Sequence, residues 1–151
     1  MTQGVNENCF LDMGLKGQAT TRGFEGQIVV QSLSYSITQA GGFDEESAKN
    51  ARITRFSPAV IVKEVDQSSP SISKASAEKK LFQKATITFV DGQNKEYFKV
   101  TLEDCQISNV NVGSHSGETK PTETISLDYR KPEWKVGTQV ANFDLKLNSP
   151  V

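Results

Sequence analysis

The sequence predicts a mainly β protein built from antiparallel strands. Three observations predict it: apolar and polar residues alternate along most of the chain, turn-forming clusters interrupt the runs at short intervals, and one stretch alone carries a helix signal. At 151 residues the chain is expected to be one domain, large enough to bury a core without disulfide or metal staples.

After a polar stretch over residues 1–8, Cys9, Leu11, Met13 and Leu15 alternate with Phe10, Asp12, Gly14 and Lys16, which predicts a first strand with one face inward. Residues 18–26 are rich in turn formers, and 27–39 reads as one long strand of high β propensity. That strand changes character halfway. Ile28 and Val30 are apolar on one parity, then Ser32, Ser34 and Ser36 take that parity while Leu33, Tyr35 and Ile37 take the other. Either a bulge flips the faces, or the first half is buried on both sides. In both cases three small hydroxyls point away from the core, and composition alone reads them as a solvated face.

Residues 40–52 lack a strand pattern, and loops of that length are usually functional or disordered. The segment up to residue 55 has apolar Phe43 and Ile53, an acidic trio Asp44, Glu45 and Glu46, then basic Lys49, Arg52 and Arg55. Residues 53–65 predict the next strand, with Val60, Ile61 and Val62 suited to burial on both faces and Pro58 marking an edge or bulge. The helix signal lies in 66–80: Ser69 is the expected N-cap, Pro70 fits the first turn, and Ile72, Ala75 and Ala77 form a thin apolar stripe. A hairpin follows, with Ala85, Ile87 and Phe89 on one strand, a turn at Asp91 and Gly92, and Phe98, Val100 and Leu102 on the return.

Residues 102–129 predict a second, longer hairpin, whose loop from 113 to 121 holds glycines, serines and a proline. Gly113, Ser114, His115, Ser116 and Gly117 superficially resemble a nucleophile elbow, but G-x-S-x-G needs serine at the midpoint and a helix after it. Here the midpoint is His115 and a strand follows. A polar turn outweighs a hydrolase site, because nothing nearby supplies the buried acid of a triad.

Seventeen basic and eighteen acidic residues leave a net charge of −1, without the basic excess of a nucleic-acid binder. Cys9 and Cys105 lack metal spacing and are expected as core thiols; with one histidine, no metal or other cofactor is expected. No export-signal pattern and no apolar run of bilayer length is present, so the chain is expected to stay in the cytoplasm unless a machine moves it, with no membrane insertion.

The run S-x-S-G-E-x-x-P-T-E-x-x-S-L-x-Y, carried by Ser114, Ser116, Gly117, Glu118, Pro121, Thr122, Glu123, Ser126, Leu127 and Tyr129, resembles the haemolysin-coregulated protein (Hcp) family of type VI secretion systems. Phe10, Gly17, Glu25, Gly26, Ile28, Val30 and Tyr35 resemble its opening, Asp66, Ser69 and Pro70 its D-x-x-S-P, and residues 142–146 its W-D-x-K ending, with Phe143 in place of Trp. Leu33 stands where many members have Trp, and residues 1–8 are an extension.

The resemblance implies an antiparallel two-sheet β-barrel or sandwich with one short flanking helix, over a single tube domain. It also implies a structural role without catalytic residues: homo-hexameric rings that stack into an inner tube, are expelled by a contractile sheath behind a spike protein of the VgrG type, and carry effectors in the lumen. The strand holding Ser32, Ser34 and Ser36 would then line the lumen as cargo contacts. Residues 40–55 are expected to be a ring-stacking element, with Phe43, Asp44, Glu45, Glu46, Lys49, Arg52 and Arg55 as its candidates. The competing expectations are a monomeric β-sandwich binding module and an enzyme.

Overall fold

The computed structural model describes residues 7–40, 53–114, 117 and 120–146. Its fold is mainly antiparallel β, with one nine-stranded sheet, one two-stranded ribbon and one helix among these residues.

β1 (Cys9–Asp12) pairs with β2 (Ile28–Val29) on one side and β7 (Leu81–Val90) on the other. Both faces of β1 are buried: Cys9 and Leu11 enter the main core, while Phe10 stacks on Phe24 of the following loop with centroids 4.4 Å apart. That loop folds tightly because Gly17 lies against the backbone of Gln27 and Ile28, where a Cβ would come within 2.5 Å of main-chain atoms. Only glycine fits there.

The strand expected over 27–39 is three short pieces. Ile28, Val29 and Val30 are all buried, so the first half is covered on both sides. Between Val30 and Gln31 the chain changes partner: Val30 N–H donates to Cys9 O on β1, and Gln31 N–H to Val62 O on β6 (Ala59–Glu64). β3 (Ser32–Ser34) continues along β6. The sheet order is β2-β1-β7-β8-β9-β6-β3, where β8 is Glu96–Gly113 and β9 is Thr122–Asp128. One continuous segment thus bridges the two ends of the path, and the sheet curls into a barrel. Past Ser36 the chain enters β4 (Ile37–Ala40), which pairs with β5 (Ile53–Phe56) to form the separate ribbon.

The strand expected over 53–65 is likewise divided, at Ser57 and Pro58, because its first part belongs to the ribbon and its second to the barrel. β6 is not buried on both faces: Ala59, Ile61 and Lys63 are buried, and Val60 and Val62 are half-exposed. The helix, α1 (Ser69–Ala77), is shorter than expected, and Ser68 rather than Ser69 occupies the N-cap position. Asp66 organises the turn into the helix, its carboxylate accepting from Ser68 N–H at 2.8 Å and from the Ser68 hydroxyl. Ile72 and Ala75 enter the core, but Ala77 is exposed.

β8 is the spine. Its first half pairs with β7 and with β10 (Lys131–Val136), its second half with β9, and the switch lies at Asp104, in the left-handed region at φ 51°. Aspartate tolerates that conformation better than most side chains. The hairpin expected over 102–129 is present as β8–β9, with Gly113 opposite Thr122. β11 (Gln139–Asn142) pairs with β10 at the edge. Ala85, Ile87, Val100, Leu102, Ile107, Ile125 and Leu127 fill the interior, joined by the free thiols of Cys9 and Cys105.

Candidate functional site

Strand registers build one outward face of the barrel in rows. Ser32 lies opposite Val62, Val62 opposite Thr124, and Thr124 opposite Asn111; in the next row stand Ser34, Val60, Ser126 and Asn109. Their neighbours Leu33, Ile61, Ile125 and Val110 pack on the core. Ser32, Ser34, Asn109 and Asn111 are exposed, and the other four are half-exposed. None of the eight carries a charge; charged side chains enter only in the flanking rows, with Glu64 opposite Thr122 and Asp128 opposite Gln106. Hydroxyls and amides both donate and accept, so the face offers hydrogen bonds of either sense to a polar surface without selecting its charge.

Ser36 is also exposed but belongs to the ribbon's base, where its N–H donates to Ser57 Oγ at 2.7 Å. The sequence pointed to the serines of this face but missed Thr124, Ser126, Asn109 and Asn111. Thr122, Thr124 and Ser126 alternate with Glu123, Ile125 and Leu127, a period-2 signal that was there to read. The asparagines fall into phase only after the irregularity at Ser108 in the β8–β9 pairing.

The family-motif loop divides between surface and core. Ser114 is exposed at the end of β8, Gly117 has φ 95°, Pro121 O accepts from Val65 N–H at 3.0 Å, and Thr122 opens β9. Ser116, Glu118 and His115 lie outside the described residues.

Glu123 points inward and is fully buried, directly opposite the equally buried Lys63. The Lys63 ammonium donates to Glu123 Oε1 at 2.7 Å, Glu64 O at 2.9 Å, Asp66 Oδ1 at 3.1 Å and Ser69 Oγ at 3.3 Å. Ser69 Oγ in turn donates to Glu123 Oε1 at 3.1 Å, so this serine is a clamp between helix and barrel and not a cap. Asp66, Ser69 and Glu123 therefore meet around one lysine that the sequence pattern did not single out. Glu123 Oε2 is buried without a hydrogen-bond partner among the described residues.

Of the expected stacking residues, Arg55 is exposed on β5 opposite Thr38, while Phe43, Asp44, Glu45, Glu46, Lys49 and Arg52 lie outside the described residues. Among the described residues there is no cluster of three or more metal-ligating side chains, and no helix is long and apolar enough to cross a membrane. Burial pushes the Cys9 thiol up to about 12 and the Cys105 thiol up to about 11, so neither is a thiolate nucleophile near neutrality.

An uncharged sheet face and a projecting ribbon make this a β protein that presents surfaces. Residues 10–136 match the family described as "Type VI secretion system effector, Hcp". The chain is 31% identical over 70 residues to Protein hcp1 of Pseudomonas aeruginosa, a match covering 44% of this chain and 43% of that protein. The crystal structure of Hcp1 from Salmonella typhimurium superposes with a TM-score of 0.82 at 25% identity, covering 95% of this chain and 98% of that one. A structure described as a type six secretion system protein superposes at 0.86 with 16% identity, covering 95% and 99%, a likeness of fold. The chain belongs to the Hcp family.

Proposed function

We propose that this protein is a structural tube subunit of a type VI secretion system, a single tube domain preceded by a short polar extension. Six copies close into a ring, rings stack into the inner tube, and sheath contraction expels the tube behind a VgrG-type spike. Effectors travel in the lumen, and the subunit leaves the cytoplasm with the machine. The family match over residues 10–136 carries this reading. The uncharged rows from Ser32 to Asn111 and from Ser34 to Asn109 support a lumen wall that accepts cargo by hydrogen bonding. No residue is assigned a catalytic role.

Light scattering after size exclusion, with negative-stain microscopy, tests the reading. A ring of six copies is the expected result, and a monodisperse monomer across the micromolar range would instead favour a free-standing binding module. Stacking is assigned to residues 40–55, where an acidic trio precedes three basic residues and can meet a complementary ring face head to tail. Exposed ion pairs contribute roughly 0–1 kcal/mol each, so a contact repeated around the ring is additive yet reversible. Replacing Asp44, Glu45 and Glu46 by lysine should leave rings intact and abolish tubes and secretion; tubes formed normally by that variant would remove the assignment.

A further inference from the structure

The ribbon of β4 and β5 pairs with no strand of the barrel. Ile37 is 46% exposed, and Thr38, Gln39 and Arg55 are exposed as well. A two-stranded ribbon of this kind is marginally stable in water by itself. Among the described residues, its contacts with the barrel are gathered at its base. The Phe56 ring stacks on Trp134 with centroids 6.3 Å apart and 7° between planes, meets Tyr129 edge-on at 6.3 Å, and packs on Phe143 at 5.3 Å. The Tyr129 hydroxyl donates to Ser57 O at 2.9 Å, and Ser57 N–H donates to Ser36 O at 2.9 Å.

Phe143 is itself fixed by the C-terminal turn. Its N–H donates to Pro132 O at 3.1 Å, and Leu145 N–H donates to Arg130 O at 2.8 Å. Between them the buried Asp144 carboxylate accepts from Lys146 N–H at 2.9 Å and from Arg130 Nε at 3.3 Å. The turn is fastened to the barrel, and one of its side chains lies against the residue where the ribbon begins.

We propose that the C-terminal turn and the ribbon form one device, in which Phe143, acting through Phe56, sets the direction in which the ribbon leaves the barrel and so presents it to a second copy of the chain in the next ring. The inference rests on the tube reading above. Phe143 and Phe56 are positioning residues: neither needs to touch the neighbouring ring.

The protein is compared with Phe143→Ala, Phe56→Ala, their combination, and Phe143→Trp. Ring formation is read by light scattering, tube formation by electron microscopy, and, in the parent and the alanine variants, ribbon posture by the emission of Trp134, the sole tryptophan. Both alanine variants should keep rings, shift the Trp134 emission, and lower tube yield by at least about tenfold, the scale of one lost aromatic contact before its repetition around the ring. The combination should be no worse than Phe56→Ala alone, and Phe143→Trp should keep tubes.

Ile72→Val, a core change remote from the ribbon, controls for general loss of stability and should leave tubes in place. Tubes formed by Phe143→Ala at the parent's yield, or lost equally in Ile72→Val, would overturn the inference. If the parent itself forms no rings, the tube reading falls, and unchanged Trp134 emission in Phe143→Ala then overturns the coupling separately.

Discussion

The barrel and the ribbon are both antiparallel β structure, yet they are held in opposite ways. In the barrel, every strand of the closed path lies against an apolar interior, and the polar end of that interior is tied by Lys63 to β6, β9 and the approach to α1. Among the described residues, the ribbon has two strands, no sheet partner, and one aromatic base. The difference teaches that the barrel's shape does not depend on the ribbon's base: damage to the barrel interior should remove the fold, whereas damage to the base should leave a folded barrel with a differently directed ribbon.

The largest effect should come from the buried charges. Lys63→Met strands two carboxylates, Glu123 and Asp66, away from water, and breaking a buried pair in this way costs about 3–5 kcal/mol. Glu123→Leu should cost less, because Lys63 keeps Asp66, Ser69 Oγ and the Glu64 carbonyl. Urea unfolding midpoints measure both. A loss below about 1 kcal/mol for Lys63→Met would mean that the cluster is not what closes this end of the barrel.

A smaller effect belongs to the junction. Tyr129→Phe removes one hydrogen bond, to Ser57 O, and should cost about 1 kcal/mol. Burial first, then the nearby Tyr35 and Asp128, push the Tyr129 hydroxyl up to about 12. The folded protein thus favours the neutral phenol. Its contribution is complete below the ordinary tyrosine value of about 10 and is lost as pH rises toward about 12. Part of the alkaline destabilisation across that window should be absent from Tyr129→Phe; identical alkaline profiles would detach Tyr129 from the ribbon's stability.

Alternation made the inward-facing residues of the barrel strands readable and left the ribbon's base hidden, for a physical reason. Alternation along β7, β8 and β9 is local, and it located Ala85, Ile87, Val100, Leu102, Ile125 and Leu127 on the inward face. In the run over 27–39 the apolar parity flips just past Val30, which marks a break, but the pattern could not reveal that the break is a change of partner between Val30 and Gln31, which only β1 and β6 define. Nor does any spacing join Phe56, Tyr129, Trp134 and Phe143, whose contact exists only once three segments meet. Lys63 was invisible for the opposite reason: a lysine in an alternating strand reads as solvent-facing until Glu123 is found across from it.

The smallest effect on stability should come from the barrel's outward face, where the comparison can be sharpened furthest. Ser34 is exposed, its side chain has no structural duty among the contacts described, and its row neighbour Val60 is half-exposed. Surface changes of this kind usually move stability by no more than about 0.5 kcal/mol, so Ser34→Gln should melt with the parent and form the same rings. Its consequence should be confined to cargo. Glutamine keeps the uncharged, hydrogen-bonding character of the row but projects farther from the sheet, and one copy from each subunit would narrow a shared lumen. Retention of an effector by assembled rings should therefore fall while folding and stacking stand. If retention is unchanged, the face containing Ser32 and Ser34 is an ordinary solvated surface, and the lumen wall must be sought on another part of the barrel. If instead the rings fail, the face lies at a subunit boundary.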